Sequence, residues 1–158
     1  MARKTERWPG PEFHSQAVFR APLPFVFSWC TDFDPGDARR EREDYMRRVI
    51  ARTSRRVVYE DLSDDGKGWS WSRHVVRLDP PAHWHSDSIG SHRSLSLDYV
   101  LTPLAADRTR LDLRWRRRPT AIGLQKVSKR KVESGTNAAW RNFARELEKD
   151  YGKSRGRT

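Results

Sequence analysis

A segment near the start of the chain constrains the fold most strongly, because two prolines divide it. It reads FRAPLPFVFSWCTD over residues 19–32, with Pro22 and Pro24 two positions apart. Two prolines this close cannot occupy a central strand or the interior of a helix, so the chain changes element here. Pro24 suits the first turn of a helix, where its missing N–H is not needed. We therefore expect a strand that ends near Phe19, a corner, and a short aromatic-rich helix from about Pro24 to Thr31.

Most of the following ninety residues show the pattern of strands and turns. In residues 93–102 the apolar Leu95, Leu97, Tyr99 and Leu101 alternate with Ser94, Ser96, Asp98 and Val100. Such alternation predicts a sheet with one solvated face and one covered face. Strands are expected at about 13–20, 47–53, 56–62, 69–78, 82–88, 93–102 and 109–118. A short charged helix is expected at about 37–44.

A long amphipathic helix is predicted from about Ile122 to Tyr151, ended by Gly152. Its apolar stripe contains two small residues, Gly135 and Ala139, which would leave space against the sheet. The full predicted stripe is Leu124, Val132, Gly135, Ala139, Phe143 and Leu147, with Trp140 at its edge. The expected organisation is a flexible basic arm at 1–10, one domain at 11–152 and a basic tail at 153–158.

This order of elements, with the segment at 19–32, resembles the START-like (SRPBCC) superfamily, which includes Bet v 1-type and polyketide-cyclase-type proteins. The resemblance covers roughly residues 12–151 and contains no catalytic signature. It implies an α+β fold in which a curved antiparallel seven-stranded sheet grips a long C-terminal helix, in the helix-grip order β-α-α-β6-α. It also implies a largely apolar cavity between sheet and helix. The implied function is binding of a small hydrophobic or amphipathic ligand in that cavity.

The candidate ligand-binding residues are those that the strand pattern and the helix stripe bring near such a cavity. Aromatic side chains with one polar tip, such as Tyr99 and Trp115, are typical of small-molecule pockets. The simpler alternative is that these rings fill a solid core. The candidates are Trp71, Trp84, His85, Leu97, Tyr99, Leu113, Trp115, Ala139 and Phe143.

An enzyme of the polyketide cyclase or aromatase type is an open alternative, using the same cavity. It would need a general base near a bound carbonyl and a donor to the enolate oxygen, and His85 and Tyr99 are the candidates. No Ser–His–Asp order, P-loop or glycine-rich dinucleotide loop is visible, so catalytic residues stay unassigned. His83 and His85 share one strand face and could chelate a metal with His74 or His92. No Cys or acidic residue completes a recognised spacing, so we expect no metal and no cofactor.

The net charge of +11 is concentrated at the C-terminal end. Residues 1–107 hold 16 Lys and Arg against 16 Asp and Glu, whereas residues 108–158 hold 16 against 5. A concentrated positive charge attracts polyanions, so binding of nucleic acid or an anionic surface through the basic C-terminal third is a further alternative. A solvated basic face is favoured over it. The two basic runs are Arg114, Arg116, Arg117 and Arg118, then Lys126, Lys129, Arg130 and Lys131.

The remaining composition indicates a cytoplasmic protein. The N-terminal ten residues lack the apolar segment of a signal peptide, and no apolar run is long enough to span a bilayer. The single cysteine, Cys30, excludes an intramolecular disulfide and is expected to be a small buried filler.

Overall fold

The computed structural model describes residues 10–41, 43–64, 66, 68–119 and 128–156. Seven strands form one antiparallel sheet in the order β1-β7-β6-β5-β4-β3-β2. The elements are β1 (Phe13–Phe19), α1 (Leu23–Cys30), α2 (Asp37–Glu41), β2 (Tyr45–Arg52), β3 (Arg56–Asp64), β4 (Trp69–Asp79), β5 (His83–Gly90), β6 (Arg93–Ala105), β7 (Arg108–Pro119) and α3 (Lys129–Arg155). The predicted α+β helix-grip architecture is confirmed.

Side-chain alternation gives the sheet two distinct faces. On β1, Phe13, Ser15, Ala17 and Phe19 are buried, while the residues between them are exposed. We call the face that carries these buried residues the inner face and the opposite one the outer face. The period of two fixes which side chains can reach the helices.

The register of β2 against β3 shifts between Val49 and Ala51, which leaves Ile50 in a bulge. β2 is the strand at one end of the sheet order, and Ile50 is exposed there. A bulge of this kind adds one unpaired residue and bends the strand.

The proline-divided segment folds as its sequence predicts, within one residue at each end. Pro22 is the N-cap residue of α1, which spans Leu23–Cys30, and Pro24 lies in the first turn. The helix ends where Thr31 donates both its backbone N–H and its hydroxyl to the Phe27 carbonyl, at 3.1 and 2.7 Å. α1 buries Val26 and Phe27 against the sheet core.

α3 differs from its prediction in both extent and orientation. Residues 120–127, where the first predicted turns lie, are outside the described residues, and Ser128 caps the helix by accepting the Lys131 N–H at 3.2 Å. The predicted stop at Gly152 is wrong, because the helix continues to Arg155 and Gly156 is its C-cap. An exposed glycine costs a helix only about 1 kcal/mol, too little to end it. The predicted α2 likewise ends earlier, at Glu41.

The predicted apolar stripe of α3 is wrong at its small residues. Gly135 and Ala139 are exposed, and nothing lies within 4 Å of a Cβ placed on Gly135. Leu147 is fully buried, Ala144 is buried, and Trp140 packs against the core rather than at the edge of the stripe. The inward face of α3 is therefore rotated toward Trp140.

This rotation follows from hydrogen bonds between α3 and the edge strand β1. The backbone N–H groups of His14 and Gln16 on β1, and of Arg20 directly after it, donate to Glu133 Oε1, Asn137 Oδ1 and Glu148 Oε1, at 2.9, 3.1 and 3.0 Å. We call these three bonds the edge seam. They satisfy N–H groups that point away from the sheet at its β1 edge and would otherwise be unpaired. Because these three α3 side chains are turned toward the β1 edge, Trp140 lies over the sheet. Its ring centroid is 6.4 Å from that of Phe19.

The core has two parts beneath α3. The larger part surrounds the fully buried Phe19, Val26, Leu111 and Leu147, and the smaller one contains Phe13, Leu113 and Trp115. No helix among the described residues has both the length and the apolar character needed to cross a bilayer.

Replacing Leu147 with alanine tests how α3 is held on the sheet. Because Leu147 is fully buried in the larger core, Leu147→Ala is expected to lower the free energy of unfolding by about 2–5 kcal/mol. Leu104→Ala, at an exposed strand position, is the matched control and should change it little. Urea denaturation measures both, and equal losses would contradict this packing.

Candidate functional site

A cavity of about 170 Å³ lies between the inner face of the sheet and the three helices. Its walls come from α1, α2, α3 and four strands, so distant parts of the chain meet around it. The lining residues are Trp29, Cys30, Phe33, Asp37, Arg40, Glu41, Arg47, Tyr59, Trp84, Tyr99, Trp140 and Phe143. Apolar rings form one side and charged groups the other.

The apolar side is built from four rings, which we call the aromatic wall: Trp84, Tyr99, Trp140 and Phe143. Trp84 and Tyr99 are cross-strand neighbours on β5 and β6 and stack at 4.7 Å with an interplanar angle of 11°. Trp140 stands at 66° to Tyr99, with centroids 6.1 Å apart, and Phe143 lies 5.1 Å from Trp140 at 63°. The rings thus form a corner rather than one flat surface.

The charged side is organised by Arg47, whose side chain is only 8% exposed. Its guanidinium donates to both Asp61 oxygens at 2.8 and 2.9 Å, and to Asp37 Oδ2 at 2.8 Å. It also lies 4.4 Å from the Tyr59 ring centroid. We call Arg47, Asp37 and Asp61 the Arg47 cluster. It fixes the short helix α2 to β2 and β3 and so holds the charged wall in place.

Phe33, between α1 and α2, completes this side of the cavity. Its φ of 48° lies in the left-handed region, which non-glycine residues rarely adopt. The Phe33 ring stacks on Tyr59 at 5.0 Å, and this contact helps to hold the unusual backbone conformation.

Burial changes the ionisation of the groups that line the cavity. Burial and the nearby Asp32 raise the pKa of Asp37 to about 6, against the effect of Arg47. Burial raises the pKa of Glu41 to about 7, although the Tyr45 hydroxyl and Arg47 act in the opposite direction. Glu41 is therefore only partly ionised at neutral pH.

Two further lining groups stay neutral. Burial, with Asp32 and Asp37, raises the pKa of the Cys30 thiol well above its usual range, so the thiolate that a nucleophile needs is not formed. Burial also raises the pKa of Tyr99, whose phenol remains a neutral hydrogen-bonding group.

Three residues predicted from the sequence line the cavity, and three lie elsewhere on the inner face. Trp84, Tyr99 and Phe143 are in the aromatic wall. Leu97, Leu113 and Trp115 belong instead to the smaller core around Phe13, whose ring stacks on Trp115 at 5.3 Å. These three side chains fill the interior beneath the first half of α3, outside the cavity lining.

The other three predicted positions point away from the cavity. Trp71 lies on the outer face of β4, because it shares that face with Trp69 and Arg73. Ala139 lies on the exposed side of α3, because the edge seam rotates the helix.

His85 is on the outer face of β5, next to the inward-facing Trp84. Its Nδ1 lies 3.3 Å from Asp98 Oδ1, and its Nε2 lies 3.0 Å from Asp87 Oδ1. His85 and Tyr99 are thus on opposite faces and cannot act as the predicted base and donor at one substrate.

The histidines do not assemble into a metal site. His83 shares the outer face with His85 and binds Asp98 Oδ1 at 2.8 Å, whereas His74 lies on the inner face, stacked on Tyr59 at 4.5 Å. Among the described ranges, no group of three or more His, Cys, Asp or Glu is arranged to hold a metal ion.

Sequence reasoning misses most of the charged wall and part of the aromatic one. The helical stripe puts Trp140 only at its edge, and Trp29 and Cys30 look like parts of an apolar helix. Arg47 carries a usable signal, because it alternates with Tyr45 and Val49 on the inner face of β2. Nothing in the sequence around α2 indicates that Asp37 and Glu41 face a cavity.

The basic residues are distributed over several surfaces. Lys129, Arg130 and Lys131 are exposed in the first turn of α3, and Arg114 is exposed on the outer face of β7. Arg117 is on the inner face, 5.4 Å from the Phe13 ring centroid. Lys126 lies outside the described residues, so polyanion binding through this region stays a prediction.

Solved structures share this fold at low sequence identity. A protein from Thermus thermophilus is 17% identical, with a TM-score of 0.71 over 87% of this chain and 97% of that one. The Zhui aromatase/cyclase from Streptomyces sp. R1128 is 18% identical, with a TM-score of 0.63 over 93% and 94%. A START superfamily protein from Mycobacterium smegmatis is 14% identical, with a TM-score of 0.65 over 91% and 99%. This chain therefore has the START-like fold. No protein-family model and no curated protein matches its sequence.

Removing Asp61 tests whether the Arg47 cluster holds the charged wall. Asp61→Ala takes two hydrogen bonds from a buried guanidinium and should lower the free energy of unfolding by about 3 kcal/mol. Asp79→Ala is the matched control, because Asp79 pairs with Arg55 where both side chains are largely exposed, and it should cost less than about 1 kcal/mol. Chemical denaturation measures both. A loss for Asp61→Ala no larger than the control's would refute the role of the cluster.

The raised pKa of Glu41 predicts a pH-dependent stability difference. A carboxyl whose folded pKa lies above its unfolded value stabilises the fold fully below the unfolded value, and the contribution is lost as pH rises through the folded one. With a folded pKa of about 7, wild type should lose stability relative to Glu41→Gln between about pH 5 and pH 8. Unfolding free energies across this range measure the difference. Asp44→Asn, which removes one exposed carboxylate nearby, is the control. A difference independent of pH would contradict the prediction.

Proposed function

We propose that this protein binds a compact amphipathic molecule in the cavity between the sheet and α3. The observation that carries the proposal is that four aromatic rings converge on a space that they leave open. Large rings at such positions normally fill a core, and an open space between them costs packing energy in the absence of a guest. Apolar walls with a few polar groups are typical of small-molecule sites.

The volume limits the size of the ligand. Pockets for drug-sized molecules usually exceed about 300 Å³, whereas an engineered apolar cavity of about 150 Å³ in another protein takes benzene. At about 170 Å³, this cavity suits a single ring or a similarly compact group. Lining residues of α2 are partly exposed, so a polar substituent can extend toward solvent there.

The same cavity supports one alternative, an enzyme of the cyclase type. Asp37 and Glu41 have pKa values of about 6 and about 7, in the range that suits general acid–base work. One protein of the same fold is an aromatase/cyclase. Binding is the preferred proposal, because it needs only the cavity and the rings.

Thermal stability in the presence of compact aromatic compounds tests the proposal. A ligand at about one hundred times its Kd should raise the Tm by roughly 5–10 °C. Phe143→Trp adds bulk at the cavity wall and should abolish the shift. Ala139→Trp adds the same indole one turn earlier, at an exposed position, and should preserve it. The absence of any shift with wild type, or equal shifts in both variants, would refute binding at this site.

A further inference from the structure

We propose that the ligand of this cavity is an organic cation, a compact amine or quaternary ammonium whose charge lies between Glu41 and the aromatic wall. This inference rests on the proposed function and names the chemical class of its ligand. It is carried by the charge balance of the lining and by the arrangement of the rings.

The aromatic wall suits a cation because ring faces carry negative partial charge. A cation within about 6 Å of a ring centroid is attracted to it, and several rings together form a cage for ammonium groups. Trp84 and Tyr99 are stacked, and Trp140 stands at 66° to Tyr99. A group held in the corner between them meets more than one ring at once.

The positive charges of the lining are already compensated. Arg47 makes three hydrogen bonds to two carboxylates, one from each of its guanidinium nitrogens. Arg40 lies 3.3 Å from Asp37 and 5.8 Å from the centre of the Trp29 ring. An incoming anion would therefore have to displace carboxylates that are in place.

Glu41 is the lining carboxyl that lacks such compensation. Within the part of the chain that the structure describes, it forms no ion pair within 4 Å, whereas Asp37 contacts both Arg40 and Arg47. The unmatched charge in the lining is therefore negative. A bound cation would supply the ion-pair partner that Glu41 lacks among the described residues.

The charge of the surrounding segment points the same way. Residues 31–45, the stretch of sequence that contains α2, carry six acidic residues against three arginines, within a chain of net charge +11. Local potentials of this kind raise the concentration of oppositely charged ligands at a site.

Binding of a permanent cation should strengthen with rising pH. Glu41 has a pKa of about 7 without ligand, and a cation beside it favours the ionised form, so affinity should rise as pH increases from about 6 to 8. Ionisation of Asp37, with a pKa of about 6, acts in the same direction at the lower end. The titratable groups that interact electrostatically with Glu41 are Asp37, Glu43, Tyr45, Arg47, Tyr59 and Tyr99.

Isothermal titration calorimetry with three probes of similar size tests this inference. Benzyltrimethylammonium is the permanent cation, 2-phenylethanol the neutral probe and phenylacetate the anion. Wild type should bind the cation most tightly, and Glu41→Gln should weaken cation binding by about tenfold while leaving 2-phenylethanol unchanged. Asp44→Asn, at an exposed position outside the lining, should change cation binding less than about twofold.

The outcomes separate this inference from the proposed function. Tighter binding of phenylacetate, or equal cation affinity in wild type and Glu41→Gln, would overturn the cationic class and leave ligand binding intact. No binding of any of the three probes would count against both. If Glu41→Gln does not fold, Trp140→Leu provides the test, and it should weaken the cation more than 2-phenylethanol. Equal weakening of the two would overturn the inference.

Discussion

The edge seam between α3 and β1 is the constraint on which the rest of the structure depends. Two backbone N–H groups of the edge strand and that of Arg20, directly after it, need acceptors, and three α3 side chains supply them along one side of the helix. Satisfying buried or edge backbone groups takes precedence over small gains in apolar contact, because an unpaired group costs free energy comparable to a lost hydrogen bond. The rotation that results turns Trp140 inward and Ala139 outward. The position of the cavity wall that α3 forms is thus determined by the edge seam.

A second polar device determines the opposite wall. α2 has five residues, none of them buried, so it cannot hold itself on the sheet by apolar contact. The Arg47 cluster does this, and it brings Asp37 and Glu41 into the lining together. The desolvation that raises the pKa values of these carboxyls is a consequence of the same placement. The aromatic wall and the buried guanidinium of Arg47 therefore line the same small cavity. The rings favour apolar parts of a ligand, whereas the charged groups favour polar parts.

The sequence was sufficient for the fold and only partly sufficient for the site. Alternation within strands and the two prolines at 22 and 24 are local signals, and they predicted the elements to within a few residues. Trp71 and His85 were misplaced because each strand offers two faces, and the choice between them depends on pairing with distant strands. Ala139 was misplaced because the orientation of α3 depends on acceptors for β1, more than a hundred residues away in the chain. Tyr99 and Phe143 were placed at the cavity by the alternation and the stripe, and Trp84 was chosen as an aromatic strand residue alone.

The bulge in β2 has a consequence for the behaviour of the protein in crowded solution. The rim formed by β1 is occupied by α3, whereas β2 ends the sheet on the other side. A straight, apolar edge strand would offer its unpaired backbone groups to strands of other molecules and so promote aggregation. Here the bulge at Ile50 interrupts the regular pairing of β2, and the exposed Arg48 and Arg52 place positive charge along this edge strand. The protein can therefore expose Met46 and Ile50 at this rim without offering a continuous surface for intermolecular pairing.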